Sequence, residues 1–257
     1  ESFPAGTWII GMDNTTQPGR FYSNIPDGYL DAGDATSGTT PFNLRGYGLA
    51  NELLQNEIPI YWAIASAKLK DDVDINVDVD QIFPTTVALG ATDFRSGPFV
   101  IHPNDTAAAR VIIEAFNTSM ANSLDNVKVY ETNAAVNINY KYRLAFKPKL
   151  LLLTNGGFKN PEFQYEKHSK VLIDLANFDP SIITYDKAAN ISLDQNSCFT
   201  LATEAHWKSG EGDAYNAEEP ARLKQFILGG GNFLTQCAGI DAYESYEYFH
   251  TTKGMLE

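Results

Sequence analysis

Between residues 71 and 83 hydrophobic and polar positions alternate almost without a break. Val73, Ile75, Val77 and Val79 fall on one side of an extended backbone, and Asp72, Asp74, Asn76, Asp78 and Asp80 on the other. A period of two predicts a β-strand with one dry face, because successive side chains of a strand point to opposite faces. Short apolar runs bounded by polar residues predict further strands: TWIIGM (7–12), IPIYWAI (58–64), GPFVIH (97–102), VKVYE (127–131) and VNINYKYRLAF (136–146). Helical spacing appears twice in this half. In FNLRGYGLANELLQNE (42–57) the stripe is Leu44, Tyr47, Leu49, Leu53 and Leu54; in DTAAARVIIEAFNTSM (105–120) it is Val111, Ile112, Ala115 and Phe116. The Gly-, Pro-, Asp-, Ser- and Thr-rich stretch 13–41 is longer than most loops of a compact domain, as functional or surface-covering segments often are.

At KPKLLLLTNGG the rhythm starts again. A buried strand over 149–154 ends in Asn155, Gly156 and Gly157. A helix over 162–177, strands in SIITY and CFTLATEAHW (198–207), a helix in EEPARLKQFIL (218–228), a strand in NFLTQC (232–237) and a helix over 238–248 follow. Strand, helix, strand is the opening of a parallel α/β sheet. The expected architecture is therefore α/β: two Rossmann- or flavodoxin-like units with mostly parallel sheets, over 1–146 and 147–257. The Gly229-Gly230-Gly231 run comes between a helix and a strand, where a helix C-cap and tight turn is expected rather than a phosphate loop. Asn155, Gly156 and Gly157 follow a strand, a better position for binding an anion.

One stretch carries candidate covalent chemistry. NFLTQCAGID brings a strand to Cys237, then to the small residues Ala238 and Gly239 and a helix-like run. A nucleophile on a strand-to-helix turn needs small neighbours, and the helix N-terminus beyond it can lower a thiol pKa and hold an oxyanion. Against this, an unreactive Cys is among the most buried residue types and commonly acts as a small apolar filler. Glu204 and His206, in TEAHW, lie at the carboxyl end of another strand, the end at which ligands gather in open α/β sheets. A Cys with a nearby His and an orienting carboxylate is a workable nucleophilic set, with Cys237 as nucleophile, His206 as base and Glu204 as orienter. A surface or capping role beside Trp207 is the other reading of His206.

The order KLLLLTNGG, helix, CFTLATEAHW, helix, GGGNFLTQCAG resembles the class I glutamine amidotransferase-like superfamily, whose Gly-rich approach leads through a strand to a Gly-x-Cys-x-Gly elbow. The resemblance runs from Lys147 to about Tyr248. It implies an amidotransferase-like fold for the second unit, with Cys237 at the elbow and Asn155, Gly156, Gly157 and Gly239 near the ligand. Two departures stand out. The elbow's first glycine is Thr235 here, and the His-x-Glu pair expected well downstream is missing from the twenty residues after Cys237, where the sole histidine is His250. Glutaminase chemistry is therefore not expected of this chain, and the unit is expected to continue past Glu257.

Charge narrows the partners. A formal net charge of −13, with 19 Lys and Arg against 32 Asp and Glu, repels nucleic acid, and no basic stripe offers a local exception. No apolar run approaches the roughly 20 residues of a membrane span. The start without Met, low Lys content and acceptor-like triplets at Asn14, Asn104, Asn117 and Asn190 point to a processed secreted or cell-surface protein. The partner left is a protein or a carbohydrate, for which the aromatic group Tyr243, Tyr246, Tyr248 and Phe249 is a candidate platform as well as candidate core. The polar side of the alternating strand, Asp72, Asp74, Asn76 and Asp78, offers the oxygen ligands Ca²⁺ prefers. It is not an EF-hand, since Val77 and Phe83 occupy the places of its glycine and closing Glu. A solvated strand face is the plainer account. Ca²⁺ is the one cofactor this row suits, as a stabiliser of an adhesion domain, and no other is expected. The leading expectation is a binding or scaffolding module. A cysteine-dependent hydrolase or transferase is the alternative, and composition is silent on oligomeric state.

Overall fold

The computed structural model describes residues 1–20, 41–153, 171–186, 199–204 and 218–235. Contacts divide the chain into two units. One comprises Glu1–Lys147 with Ala176–Phe178, the other Pro148–Leu175 with Asp179–Glu257.

The first unit is built on a seven-stranded sheet. Its strands are β2 (Trp8–Ile10), β3 (Ile60–Ala63), β4 (Val73–Phe83), β5 (Val87–Arg95), β6 (Phe99–Ile101), β7 (Val129–Thr132) and β9 (Tyr140–Leu144), in the order β5-β4-β7-β2-β6-β3-β9. A separate ribbon pairs β1 (Ser2–Phe3) with β8 (Val136–Asn137). Among the described residues two α-helices, α1 (Arg45–Gln55) and α2 (Thr106–Thr118), belong to the unit.

Every pairing in the seven-stranded sheet is antiparallel, which corrects the expectation of a parallel first unit. Strands β2 and β3 do flank a helix, but β6 is hydrogen-bonded between them and runs against both. Periodicity reports which face of a strand is dry. It carries no information about a neighbour about 90 residues away, and β6 is such a neighbour of β2. The segment 87–95 also becomes a strand without an apolar alternation to announce it, as the second arm of a hairpin with β4.

Both faces of the sheet are covered, so its central strands are apolar on both sides. Trp8 and Ile10 pack with Leu49, Leu53, Ile113 and Phe116 from the helices. Ile9, between them, faces the opposite layer, with Val100, Phe94 and Tyr130 from the sheet and Phe3 and Ile138 from the N-terminal ribbon and the segment after β8. Burial on both faces explains why WII reads as a continuous run rather than an alternation. In β4 the alternation holds for Ile75 and Val79, which are buried, and for Asn76 and Asp78, which are exposed. Register shifts at Val79/Asp80 and Gln81/Phe83 then turn Phe83 to the helix side.

Helix α2 buries Ala109, Ile113, Phe116 and Asn117, and Val111 is 67% exposed. The expected stripe through Val111 and Ala115 is thus rotated. Asn117 is the reason: its amide donates to the Val127 carbonyl (3.0 Å) and accepts from the Val127 N–H (2.8 Å). A polar side chain faces inward because it completes the backbone pairing of the chain entering β7. The same burial removes Asn117 as a surface acceptor triplet. The 176–178 segment lies close on α1, where a Cβ at Gly48 would overlap the Ala176 carbonyl oxygen.

The second unit contains a four-stranded parallel sheet of β10 (Leu150–Leu153), β11 (Ile183–Asp186), β12 (Leu201–Glu204) and β13 (Asn232–Thr235), ordered β11-β10-β12-β13. All four leucines of β10 are buried, as a central parallel strand requires. The part of the 162–177 helix that is described, 171–175, has π-helical backbone. Helix α3 (Glu218–Leu228) buries Leu223 and Phe226. It closes on the glycine run as a Schellman motif: Gly230, at φ +98°, donates to Ile227, and Gly231 donates to Phe226.

After β2 the chain makes a turn fixed by a buried carboxylate. Asp13 Oδ1 accepts from the Thr15 and Thr16 N–H groups, both at 2.9 Å, and Oδ2 accepts from the Arg95 N–H at 3.0 Å. Burial pushes the Asp13 carboxyl up, but these donors outweigh it and hold it below the ordinary value. Its proton is thus bound less readily folded than unfolded. The stability it contributes is present above the unfolded carboxyl range of about pH 4 and is lost as pH falls through the lowered folded value. Asp13→Asn is expected to destabilise the protein by about 2 kcal/mol at pH 7. Urea unfolding of both proteins from pH 7 to pH 2 checks this: the gap between them should narrow below about pH 4.

Candidate functional site

The parallel sheet positions the sequence-derived candidates. Its registers pair Leu153 with Asp186, Leu152 with Thr203 and Glu204 with Thr235. Asp186, Leu153, Glu204 and Thr235 therefore end their strands in one row, at the carboxyl edge. In open parallel sheets that edge is where ligands are held, because the connecting loops and helix N-termini converge on it. Strands β12 and β13 are direct neighbours, with a spacing of about 4.8 Å for paired strands.

Glu204 is the last residue of β12 and is the one catalytic candidate with a described backbone; its side chain lies outside the described residues. Cys237, His206, Asn155, Gly156, Gly157 and Gly239 lie outside them as well, as do Cys198 and the Tyr243 to Phe249 aromatic group. In sequence, Asn155, His206 and Cys237 each come two residues after a member of the carboxyl-edge row: Leu153, Glu204 and Thr235. The Thr235 hydroxyl is buried without a hydrogen-bond partner, and so is that of Thr203. Sequence reasoning did not single out Asp186, which ends β11 in the same row; its signal is the acid closing the SIITYD run.

The acidic row of β4 is placed in full. Asp74 has a completely buried side chain, contrary to the expected solvated face. Its carboxylate pairs with Lys68 Nζ at 2.6 Å and accepts from the Ala65 and Gly97 N–H groups, both at 2.9 Å. Asn76 donates to Asp93 at 2.6 Å, and Asp72 accepts from the Leu69 N–H at 2.8 Å. Asp78 is exposed. Nor does the row guard a sheet edge, since β4 lies between β5 and β7. Three of the four proposed Ca²⁺ ligands thus already hold protein partners. Among the described residues no three His, Cys, Asp or Glu side chains cluster as a metal site. His102 caps the 3₁₀ turn Pro103–Asp105 by accepting from the Asn104 N–H.

A concavity lies in the first unit, between the 13–17 turn and strands β4, β5 and β7. Nothing in the hydrophobic pattern announced it, because it is built by pairing distant segments. No protein-family model, curated protein or solved structure significantly matches this chain.

The two kinds of acid on β4 are expected to behave differently. Asp74→Asn removes the charge of a fully buried carboxylate that Lys68 and two backbone N–H groups hold, and should cost about 3 kcal/mol. Asp78→Asn should stay within about 0.5 kcal/mol of the parent protein. Chemical denaturation at pH 7 distinguishes them.

Proposed function

We propose that the chain is a secreted or cell-surface binding or scaffolding module. Its second unit uses an amidotransferase-like, flavodoxin-type sheet to hold a ligand and does not hydrolyse glutamine. The observation that carries the reading is the parallel sheet ordered β11-β10-β12-β13, whose strands all deliver their carboxyl ends to one edge bearing Asp186, Glu204 and Thr235. Thr235 supports the non-hydrolytic part. The elbow it resembles has glycine there, where the absence of a Cβ leaves space and backbone freedom. Here a side chain occupies the position, with its hydroxyl buried. Glutamine and p-nitrophenyl ester hydrolysis by the purified protein should stay at background and be unchanged in Cys237→Ser. Turnover abolished by that substitution would overturn the reading.

A cysteine-dependent hydrolase or transferase is the second reading. It is favoured by one observation, the Glu204–Thr235 register, from which His206 and Cys237 each follow by two residues. Neighbouring strand ends are a reasonable origin for a thiol and its base. This reading requires a lowered thiol pKa and hence fast alkylation at neutral pH. On the binding-module reading, Cys237 should react with iodoacetamide at the rate of a thiol with the ordinary pKa of about 8.5, with no dependence on His206. Labelling rates of the parent and His206→Ala from pH 6 to pH 9 decide between them.

A further inference from the structure

The cavity in the first unit has a volume of about 590 Å³, within the range of small-molecule sites. Thr15, Thr16 and Tyr130 line its side towards the 13–17 turn, and Asp93, Arg95 and Lys128 supply its charged groups. The wall is held from behind. Tyr130 donates its hydroxyl proton to the Thr16 carbonyl, and Gln17 bonds both the N–H and the carbonyl of Lys128. Asp13 fixes the turn and the Arg95 backbone together. The site is therefore preorganised by contacts that a ligand need not make.

An inventory of donors and acceptors indicates what it can hold. The acids are already engaged. Asp13 is surrounded by three backbone N–H groups, and Asp93 accepts from Asn76 Nδ2 at 2.6 Å and from Arg95 Nη2 at 2.8 Å. Those two donors lead the causes that hold the Asp93 carboxyl below its ordinary value. The bases are not used up. Arg95 gives one N–H to Asp93 out of the five that a guanidinium carries. Among the described residues no carboxylate is in ion-pair contact with Lys128. Asn76, Thr15 and Thr92 add neutral groups suited to hydroxyls, and Leu89, 48% exposed, and Ala91 form an apolar strip.

We propose that this cavity binds a polyhydroxylated carboxylate, a sugar acid of one or two rings, with Lys128 and Arg95 on the carboxylate. The hydroxyls face Asn76, Thr15 and Thr92, and a C–H face lies on Leu89 and Ala91. Against the one carboxylate of the lining, Asp93, stand the two cations Arg95 and Lys128, so the free capacity for charge-assisted hydrogen bonds is mostly on the donor side, which favours an anionic group over a neutral one. The overall acidity of the chain disfavours large polyanions but leaves a single small anion to local contacts. None of these cavity residues belongs to the parallel sheet.

Glucuronate, galacturonate, mannuronate and glucose titrated into the full chain, followed by calorimetry, test it. At least one of the three acids should bind saturably and at least tenfold more tightly than glucose. Lys128→Gln should weaken that binding about tenfold or more, the usual cost of a lost charge-assisted contact, at an unchanged melting temperature. Ala91→Phe, at an exposed position, should abolish it by filling the cavity. Failure of all three acids to bind, glucose binding as well as its acid, or acid binding unaffected by both substitutions would each overturn the proposal.

Discussion

A backbone N–H or C=O buried away from water must find a partner, and in the first unit that requirement decides where polar side chains go. Strand pairing satisfies most of the seven-stranded sheet, but not the places where the chain enters or leaves it. There, side chains stand in for strands. Asp13 serves three N–H groups across the end of β5 and its own turn. Gln17 and Asn117 each bond both the N–H and the carbonyl of one residue, Lys128 and Val127, on the approach to β7. The Asp74 carboxylate accepts from the Ala65 and Gly97 N–H groups, and the Asn43 amide donates to the Asp125 carbonyl. Remove these surrogates and the sheet loses its attachment to the turns rather than its core.

This division explains which parts of the fold the sequence makes legible. The helices and most strands of the first unit follow from spacing, since spacing reflects which face is dry. Helix α3 spans the residues its pattern marks, with its glycine terminator where the run of three predicts one. Strand direction in the first unit was not legible, because antiparallel order arises from the pairing of β2 with β6 and β7, far apart in the chain. The rotated face of α2 was hidden for a related reason. Asn117 looks solvent-facing on any hydropathy scale, and only its distant partner at Val127 makes it an inward residue. Strand β5 shows no alternation because most of it is exposed at an edge, where one face being wet or dry is not enforced.

The candidate chemistry divides in the same way. In the second unit, short buried strands with polar residues at their carboxyl ends are a sequence-local signature, and the parallel sheet sets Glu204 level with Thr235 and with Asp186, a residue the pattern did not single out. On β4, alternation was equally clear but its functional meaning was not. Asp74 and Asp78 look equivalent in a row of acids, yet one side chain is fully buried against Lys68 and the other faces outward. Sequence gives the side of the strand; the neighbouring loops decide whether that side meets water.

The acidity of the chain takes on a different meaning in this light. Part of the acidic surplus does not face solvent. Asp125 lies buried between Arg20, which reaches both its oxygens at 2.7 and 3.0 Å, and Arg45 at 3.3 Å, while its carbonyl takes the Asn43 amide. Asp13, Asp74 and Asp125 are fastened to donors inside the fold, and an anchored acid is unavailable to a ligand whatever its formal charge. A ligand meets what the fold leaves unspent. In the first-unit cavity these include N–H donors of Arg95 and Lys128, in a protein whose total charge alone would argue against anions. Net charge therefore constrains long-range partners such as polyanions and membranes, whereas a small ligand is selected by the local balance of engaged and free groups.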